Sequence, residues 1–153
     1  MYKINISSRT LHFLRPAGTS RGVYTTRKSY YVTLSDTNQP DVVGIGECAT
    51  LPDLSCDAMT DEEYEQKLRS FCDDFCHTGV IDIAAMRPYP SMLFGLETAK
   101  AQLDAKGSIN FFNTAFGRGE EGITINGLVW MGTFEEMYQR LEAKLKAGFR
   151  CVK

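Results

Sequence analysis

The sequence predicts an α+β unit, a three-stranded antiparallel sheet plus helices, followed by the first βαβ unit of a (β/α) barrel. Three observations carry this. Alternating and β-branched segments crowd the N-terminal third. Two capping boxes, Thr60-Asp61-Glu62-Glu63 and Thr133-Phe134-Glu135-Glu136, open helical stretches beyond it. A strand–helix–strand pattern then closes the sequence. Strands, then helices, then βα alternation is the order of an α+β unit leading into a barrel.

Tyr2 to Phe13 alternates weakly, as a first strand does, and Tyr30-Tyr31-Val32-Thr33-Leu34 is aromatic and β-branched. Val42-Val43-Gly44-Ile45-Gly46-Glu47 supplies a third strand, joined to the second by the turn-rich Ser35-Asp36-Thr37-Asn38-Gln39-Pro40. Between the first two strands, Arg15-Pro16-Ala17-Gly18-Thr19-Ser20-Arg21-Gly22 has the Pro, Gly and small polar residues of a mobile loop. A second irregular stretch runs from Cys48 to Asp57.

The first helix starts at the Thr60 box and carries Tyr64, Leu68, Phe71, Cys72 and Phe75 on one apolar stripe. Gly79 is placed to end it in a left-handed cap. A second helix starts at Ser91 after Pro90, shows Met92, Leu96, Ala99 and Leu103 on one face, and ends at Gly107. The third starts at the Thr133 box, carries Phe134, Met137, Leu141 and Leu145, and stops at Gly148. It links Gly122–Trp130 to Phe149–Lys153, two strands that a crossover of this length lays parallel in one larger sheet. Parallel strands are covered on both faces. The tail is therefore expected to open a barrel that continues beyond Lys153, with residues 1–118 and 119–153 as separate units and the seam near Gly117 to Gly122.

A length of 153 residues suffices for one ordinary core, and a net charge of -2 lacks the basic footprint of a nucleic-acid binder. Arg15, Arg21, Arg27 and Lys28 cluster, which without a motif describes a solvated loop face. No run is long enough to span a membrane, and the alternating N-terminus lacks the apolar core of a signal peptide. Five cysteines, an odd number, point to reduced thiols in the cytoplasm. Cys72 and Cys76, four apart and followed by His77, lack a second ligand pair and are expected on a helix face.

Isolated chemical motifs are weak. Gly44-x-Gly46-Glu47 has no third glycine opening a helix, so it is not a dinucleotide fingerprint. His12 and His77 have no recognisable partners, and Trp130 ends a barrel-like strand as either core or ligand contact. Lys153 ends an apolar strand, the position that faces the mouth of a barrel. There a desolvated lysine serves as base or electrostatic clamp; otherwise Lys153 is the solvated tip of a strand.

The order of segments, the Gly44-Ile45-Gly46-Glu47 strand end, the Phe94-Gly95-Leu96-Glu97-Thr98-Ala99 helix and Gly148-Phe149-Arg150-Cys151-Val152-Lys153 together resemble the enolase superfamily. The α+β unit would then be its capping domain. Ile125-Asn126-Gly127-Leu128-Val129-Trp130-Met131-Gly132 resembles the first barrel strand of the superfamily's lyases that form o-succinylbenzoate in menaquinone synthesis. The resemblance implies that Lys153 is the first lysine of a Lys-x-Lys strand end, whose second lysine and acidic Mg²⁺ ligands would lie on later residues. It implies that Arg15–Gly22 is a loop closing over a small carboxylate substrate and that Cys48–Asp57 is a second specificity loop. Ser20, Arg21, Leu51 and Leu54 are the implied substrate contacts, Arg21 through its bidentate fork.

The implied chemistry removes a proton α to a carboxylate, with Mg²⁺ stabilising the enediolate, and then loses hydroxide as water. Dipeptide epimerase, N-acylamino acid racemase and cycloisomerase share the scaffold and remain alternatives, as does a non-enzymatic α+β binding module. Neither nucleic acid nor membrane is an expected partner, and the sequence leaves the oligomeric state open. Residues 1–153 by themselves are expected to be inactive.

Overall fold

In the computed structural model, which describes residues 1–19, 21–51 and 53–153, Tyr2–Thr19 (β1), Gly22–Asp36 (β2) and Gln39–Ala49 (β3) pair in that order as one antiparallel sheet. Among the described residues four helices follow: Asp61–Thr78 (α1), Ile83–Met86 (α2), Pro90–Asp104 (α3) and Phe134–Lys146 (α4). The sheet thus has the number and direction of strands that the alternation implied. The short α2 was not expected; Asp82 caps it by accepting the Ala85 N–H at 3.0 Å.

The first hairpin is much longer than its sequence suggested. The segment expected to be a mobile loop is largely strand, with Ala17 opposite Tyr24, Gly18 opposite Val23 and Thr19 opposite Gly22. The weakness of its strand signal has a physical cause. Between the His12–Thr26 and Ala17–Tyr24 pairs the ladder is irregular, and Pro16, which has no N–H to donate, falls in that interval. At the tip, the Thr19 hydroxyl oxygen accepts the N–H groups of Arg21 and Gly22, both at 3.2 Å. The second hairpin turns at Thr37 and Asn38, where the Asp36 carboxylate accepts the Asn38 N–H at 3.0 Å.

Ile4, Leu34 and Gly44 lie abreast on the sheet, and so do Ile6, Val32 and Gly46. This face packs against α1 and α3, and the core comprises Val32 and Leu34, Tyr64, Leu68, Cys72 and Phe75 of α1, and Met92, Leu96, Ala99 and Leu103 of α3. Both predicted stripes are buried; Phe71 lies at the margin, where its ring meets Tyr89 at 5.4 Å.

The glycines of β3 allow α3 to sit on the strand with backbone against backbone. A Cβ at Gly46 would lie 1.7 Å from the Gly95 carbonyl oxygen, and one at Gly44 would lie 1.9 Å from that of Ala99. A Cβ at Gly95 would lie 2.2 Å from the Cys48 sulfur. Burial pushes the Cys48 thiol up to about 12, so it packs as a small neutral group at physiological pH. At the far end of α3, Gln102 accepts the Ile45 N–H through Oε1 at 2.8 Å and donates through Nε2 to the Gly107 carbonyl at 3.1 Å.

Helix boundaries follow the capping chemistry. The Thr60 hydroxyl accepts the Glu63 N–H at 3.3 Å while the Glu63 carboxylate accepts the Thr60 N–H at 3.1 Å. Thr133 and Glu136 repeat this at 3.3 and 2.8 Å. Gly79, at φ 71°, ends α1 by donating to the Phe75 carbonyl at 2.7 Å. α3 begins one residue before its expected start, with Pro90 as its first residue, where proline's missing N–H costs nothing.

The segments expected as strands over Gly122–Trp130 and Phe149–Lys153 do not form strands; they keep the parallel sense at a single bridge, Gly127 opposite Val152. Gly127 and Val129 donate to the carbonyls of Cys151 and Lys153 at 2.8 Å each, and Lys153 donates back to Gly127 at 2.9 Å. α4 buries none of its residues: Phe134 is 83% exposed and Leu145 56%. Its apolar stripe is real and uncovered.

Gly95→Ala is expected to destabilise the protein by about 1–3 kcal/mol, the usual cost of overpacking a dense core. Cys48→Ala should recover part of that loss, because the clash is with its sulfur. Urea midpoints of the two single variants and the double variant measure the coupling. Separately, hydrogen bonds from the Thr60 hydroxyl and then its N–H hold the Glu63 carboxyl below its ordinary 4.5. A depressed folded value means the box stabilises fully above pH 4.5 and loses this contribution as pH falls through the folded value. Glu63→Gln should therefore flatten the acid limb of a plot of denaturation midpoint against pH.

Candidate functional site

Two segments meet at the open end of the sheet: the tip of the β1–β2 hairpin and the connection from Ala49 to Thr60. The connection folds on itself. Leu51 accepts the N–H groups of Leu54 and Ser55 at 3.2 and 3.0 Å, and its own N–H goes to the Ser55 hydroxyl at 2.9 Å. Asp53 takes a left-handed conformation, φ 64°, at the crest of this turn. There the Arg21 guanidinium donates to the Asp53 carbonyl, which latches the hairpin tip onto the connection.

A cavity of about 560 Å³ lies at this end, walled by Lys28, Tyr30, Asp53, Asp61 and Tyr64 among others. Lys28 is paired with Asp61 at 2.7 Å and sits 5.0 Å from the centre of the Tyr30 ring. The hydrogen bond to Asp61 is the main reason its ammonium titrates above the ordinary lysine value. A neighbouring cavity of about 590 Å³ is lined by Arg27, Glu47, Leu54, Asp57 and Phe94 with others.

A buried polar relay forms one wall. The Asp57 carboxylate accepts both the backbone N–H and the hydroxyl of Ser91, at 2.7 and 2.6 Å. Since the Ser91 proton is committed to Asp57, the Tyr64 hydroxyl is the donor in the Tyr64–Ser91 contact. Burial pushes the Tyr64 phenol upward, which keeps that proton in place. Asp57 is only 3% exposed and caps α3 from outside, because Tyr89, at the N-cap, has no side-chain cap bond. Local motifs could not reveal this partnership, whose members stand 34 positions apart. The only hint was a proline-initiated helix lacking Ser, Thr, Asp or Asn at its cap.

The sequence-derived candidates are distributed unevenly. Arg21 is joined to the connection that carries Leu51 and Leu54. Leu54 is exposed and faces the second cavity, while Leu51 is half-buried at the base of the turn. Ser20 lies outside the described residues. Lys153 is exposed and lines neither cavity. The basic cluster is not the uniform solvated face it suggested, since Arg21 and Lys28 are partnered and Arg27 is half-buried. Arg15 comes near enough to α4 to help lower the Glu136 carboxyl, after the larger effects of Thr133 and Arg140.

His12 is exposed, and His77 is a surface group whose Nδ1 lies 2.6 Å from the Asp73 carbonyl. Cys72 is buried and Cys76 half-buried, on α1 as expected. Among the described residues no three His, Cys, Asp or Glu side chains converge to hold a metal ion. These residues do not fit a Mg²⁺ site. No described helix is long and apolar enough to cross a membrane.

Asp57→Ala is expected to cost about 1–3 kcal/mol, because it strands the half-buried Ser91 donors. Asp57→Asn, which keeps an acceptor, should cost less. Urea midpoints give the loss, and faster amide exchange at Ser91 would locate it at the start of α3.

No family model matches the chain. It is 33% identical over 172 aligned positions to o-succinylbenzoate synthase of Desulfotalea psychrophila, covering 94% of this chain and 46% of that protein. The fold matches the crystal structure of MenC from Desulfotalea psychrophila LSv54, with TM-score 0.63, 26% identity, and coverage of 97% of this chain and 48% of the other. It also matches o-succinylbenzoate synthase from Thermosynechococcus elongatus BP-1, crystallised with Mg in the active site. There the TM-score is 0.56, the identity 19%, and the coverage 99% of this chain and 41% of that one. The chain spans about half the length of the proteins it matches. In sequence and in fold, this chain resembles o-succinylbenzoate synthase of the enolase superfamily, over a stretch consistent with the N-terminal portion of that protein.

Proposed function

We propose that residues 1–118 form the capping domain, and residues 119–153 the opening of the barrel, of a lyase. This enzyme would dehydrate 2-succinyl-6-hydroxy-2,4-cyclohexadiene-1-carboxylate to o-succinylbenzoate. The observation that carries the reading is the 33% identity to an o-succinylbenzoate synthase across 94% of the chain. The latch between Arg21 and the Asp53 carbonyl supports it, because a lyase of this kind needs a cover that closes over its substrate.

In this reading the reaction removes the ring proton α to the carboxylate, leaving negative charge on the carboxylate oxygens. Collapse of that charge forms a ring double bond and expels hydroxide, which takes up the proton removed in the first step, departs as water and leaves an aromatic ring. The exposed Lys153 would enter the site once further strands flank it. Its ammonium would then sit beside the developing negative charge, or lower the proton affinity of a neighbouring lysine by like-charge repulsion. The hairpin and the 48–57 connection would set substrate fit, with Arg21, Leu51 and Leu54 nearest to it, together with Ser20. Mg²⁺ dependence belongs to the proposal, with ligands other than the described residues.

In a chain extended through the remaining barrel strands, the cyclohexadiene precursor is expected to be converted to o-succinylbenzoate, followed by ultraviolet absorbance. Lys153→Ala there should lower kcat by about 10²-fold or more. Residues 1–153 alone should show no turnover. Epimerisation of dipeptides by the extended chain without dehydration would replace this reading with the epimerase one.

A further inference from the structure

Arg27 differs from the partnered Arg21 and Lys28 at the open end of the sheet. It lies on β2, is half-buried, and lines the cavities of about 560 and 590 Å³ already described. It also lines a third, of about 720 Å³, against Leu11, Phe13 and Leu14 of the hairpin. Its Nε is sealed from solvent and has no hydrogen-bond partner among the described residues. No described ion pair includes it, although Glu47 lines one of the same cavities and Asp53 another.

Three neighbouring side chains are committed elsewhere. Lys28 pairs with Asp61, Arg21 donates to the Asp53 carbonyl, and Asp57 is held by Ser91. A half-buried guanidinium with no ion pair among the described residues is costly, and an incoming anion offsets that cost. A planar carboxylate fits best, since it meets the arginine fork through two parallel N–H···O bonds. The apolar wall of Leu11, Phe13 and Leu14 suits the carbon chain attached to such a group.

We propose that Arg27 anchors a carboxylate on a short apolar chain at the junction of these cavities. Resting on the lyase reading above, this carboxylate is the one on the succinyl arm, remote from the reacting ring carbon. Arg27 is then a specificity-determining residue, and Arg21 serves the closure of the cover.

The test is an NMR titration of the 15N-labelled protein with succinate, using sodium chloride at equal ionic strength as reference and following the arginine Nε–Hε signals. The Arg27 signal is expected to shift saturably. Arg27→Lys should weaken binding by about tenfold, Arg27→Met should abolish it, and Arg9→Met, at an exposed position on β1 that lines none of these cavities, should leave it within about twofold. A non-saturable Arg27 shift, or succinate binding undiminished in Arg27→Met, would overturn the assignment. Tighter binding of inorganic phosphate than of succinate would overturn the preference for a carboxylate. The titration involves no turnover, so its failure is separable from that of the lyase reading. Succinate bound at Arg27 in a protein whose extended form dehydrates nothing would remove only the reading, and dehydration without an Arg27 response would remove only the anchor.

Discussion

The contact between α3 and β3 is the constraint on which the rest of the structure depends. Gly44 and Gly46 leave the strand bare on one face, and Gly95 and Ala99 leave the helix bare where it crosses. The two backbones therefore meet with no layer of side chains between them. This sets the height of α3 above the sheet, and with it the depth of the core that Val32, Leu34, Met92 and Leu96 must fill. Larger side chains at these glycines would lift the helix and open voids around that core.

The same contact places the start of α3 beside the 48–57 connection, which makes the Asp57–Ser91–Tyr64 relay possible. The relay couples three elements: the connection, α3 and α1. The connection is fixed at one end by a buried carboxylate and held at the other by an exposed arginine on a backbone carbonyl. The difference in strength matters. Bonds at a buried, shared carboxylate are costly to break, whereas an exposed guanidinium bond exchanges readily with water. The hairpin tip is thus the more weakly held of the two.

The tail obeys the same local rules without the same support. Its helix has a complete capping box and a continuous apolar stripe, yet Phe134, Met137 and Leu145 remain exposed. Its two flanking segments meet through three backbone hydrogen bonds around Gly127 and Lys153. Local propensity and capping suffice to form such a helix, but the covering of a parallel sheet comes from other elements of the fold.

Much of the architecture was legible in the residues because it rests on short-range chemistry. The stops at Gly79 and Gly148 and the boxes at Thr60 and Thr133 come from bonds spanning a few residues. The stripes of α1 and α3 come from helical spacing, and the antiparallel order of three strands from alternation and turn residues. The reach of the first hairpin was obscured because Pro16 and Gly18 read as loop wherever they occur, although an edge strand tolerates both. The role of the β3 glycines, the capping of α3 by Asp57, the engagement of Arg21 and the isolation of Arg27 were decided only by tertiary structure. Each depends on which groups the fold brings together across tens of residues, and on how much water it leaves around them. Spacing along the chain encodes neither.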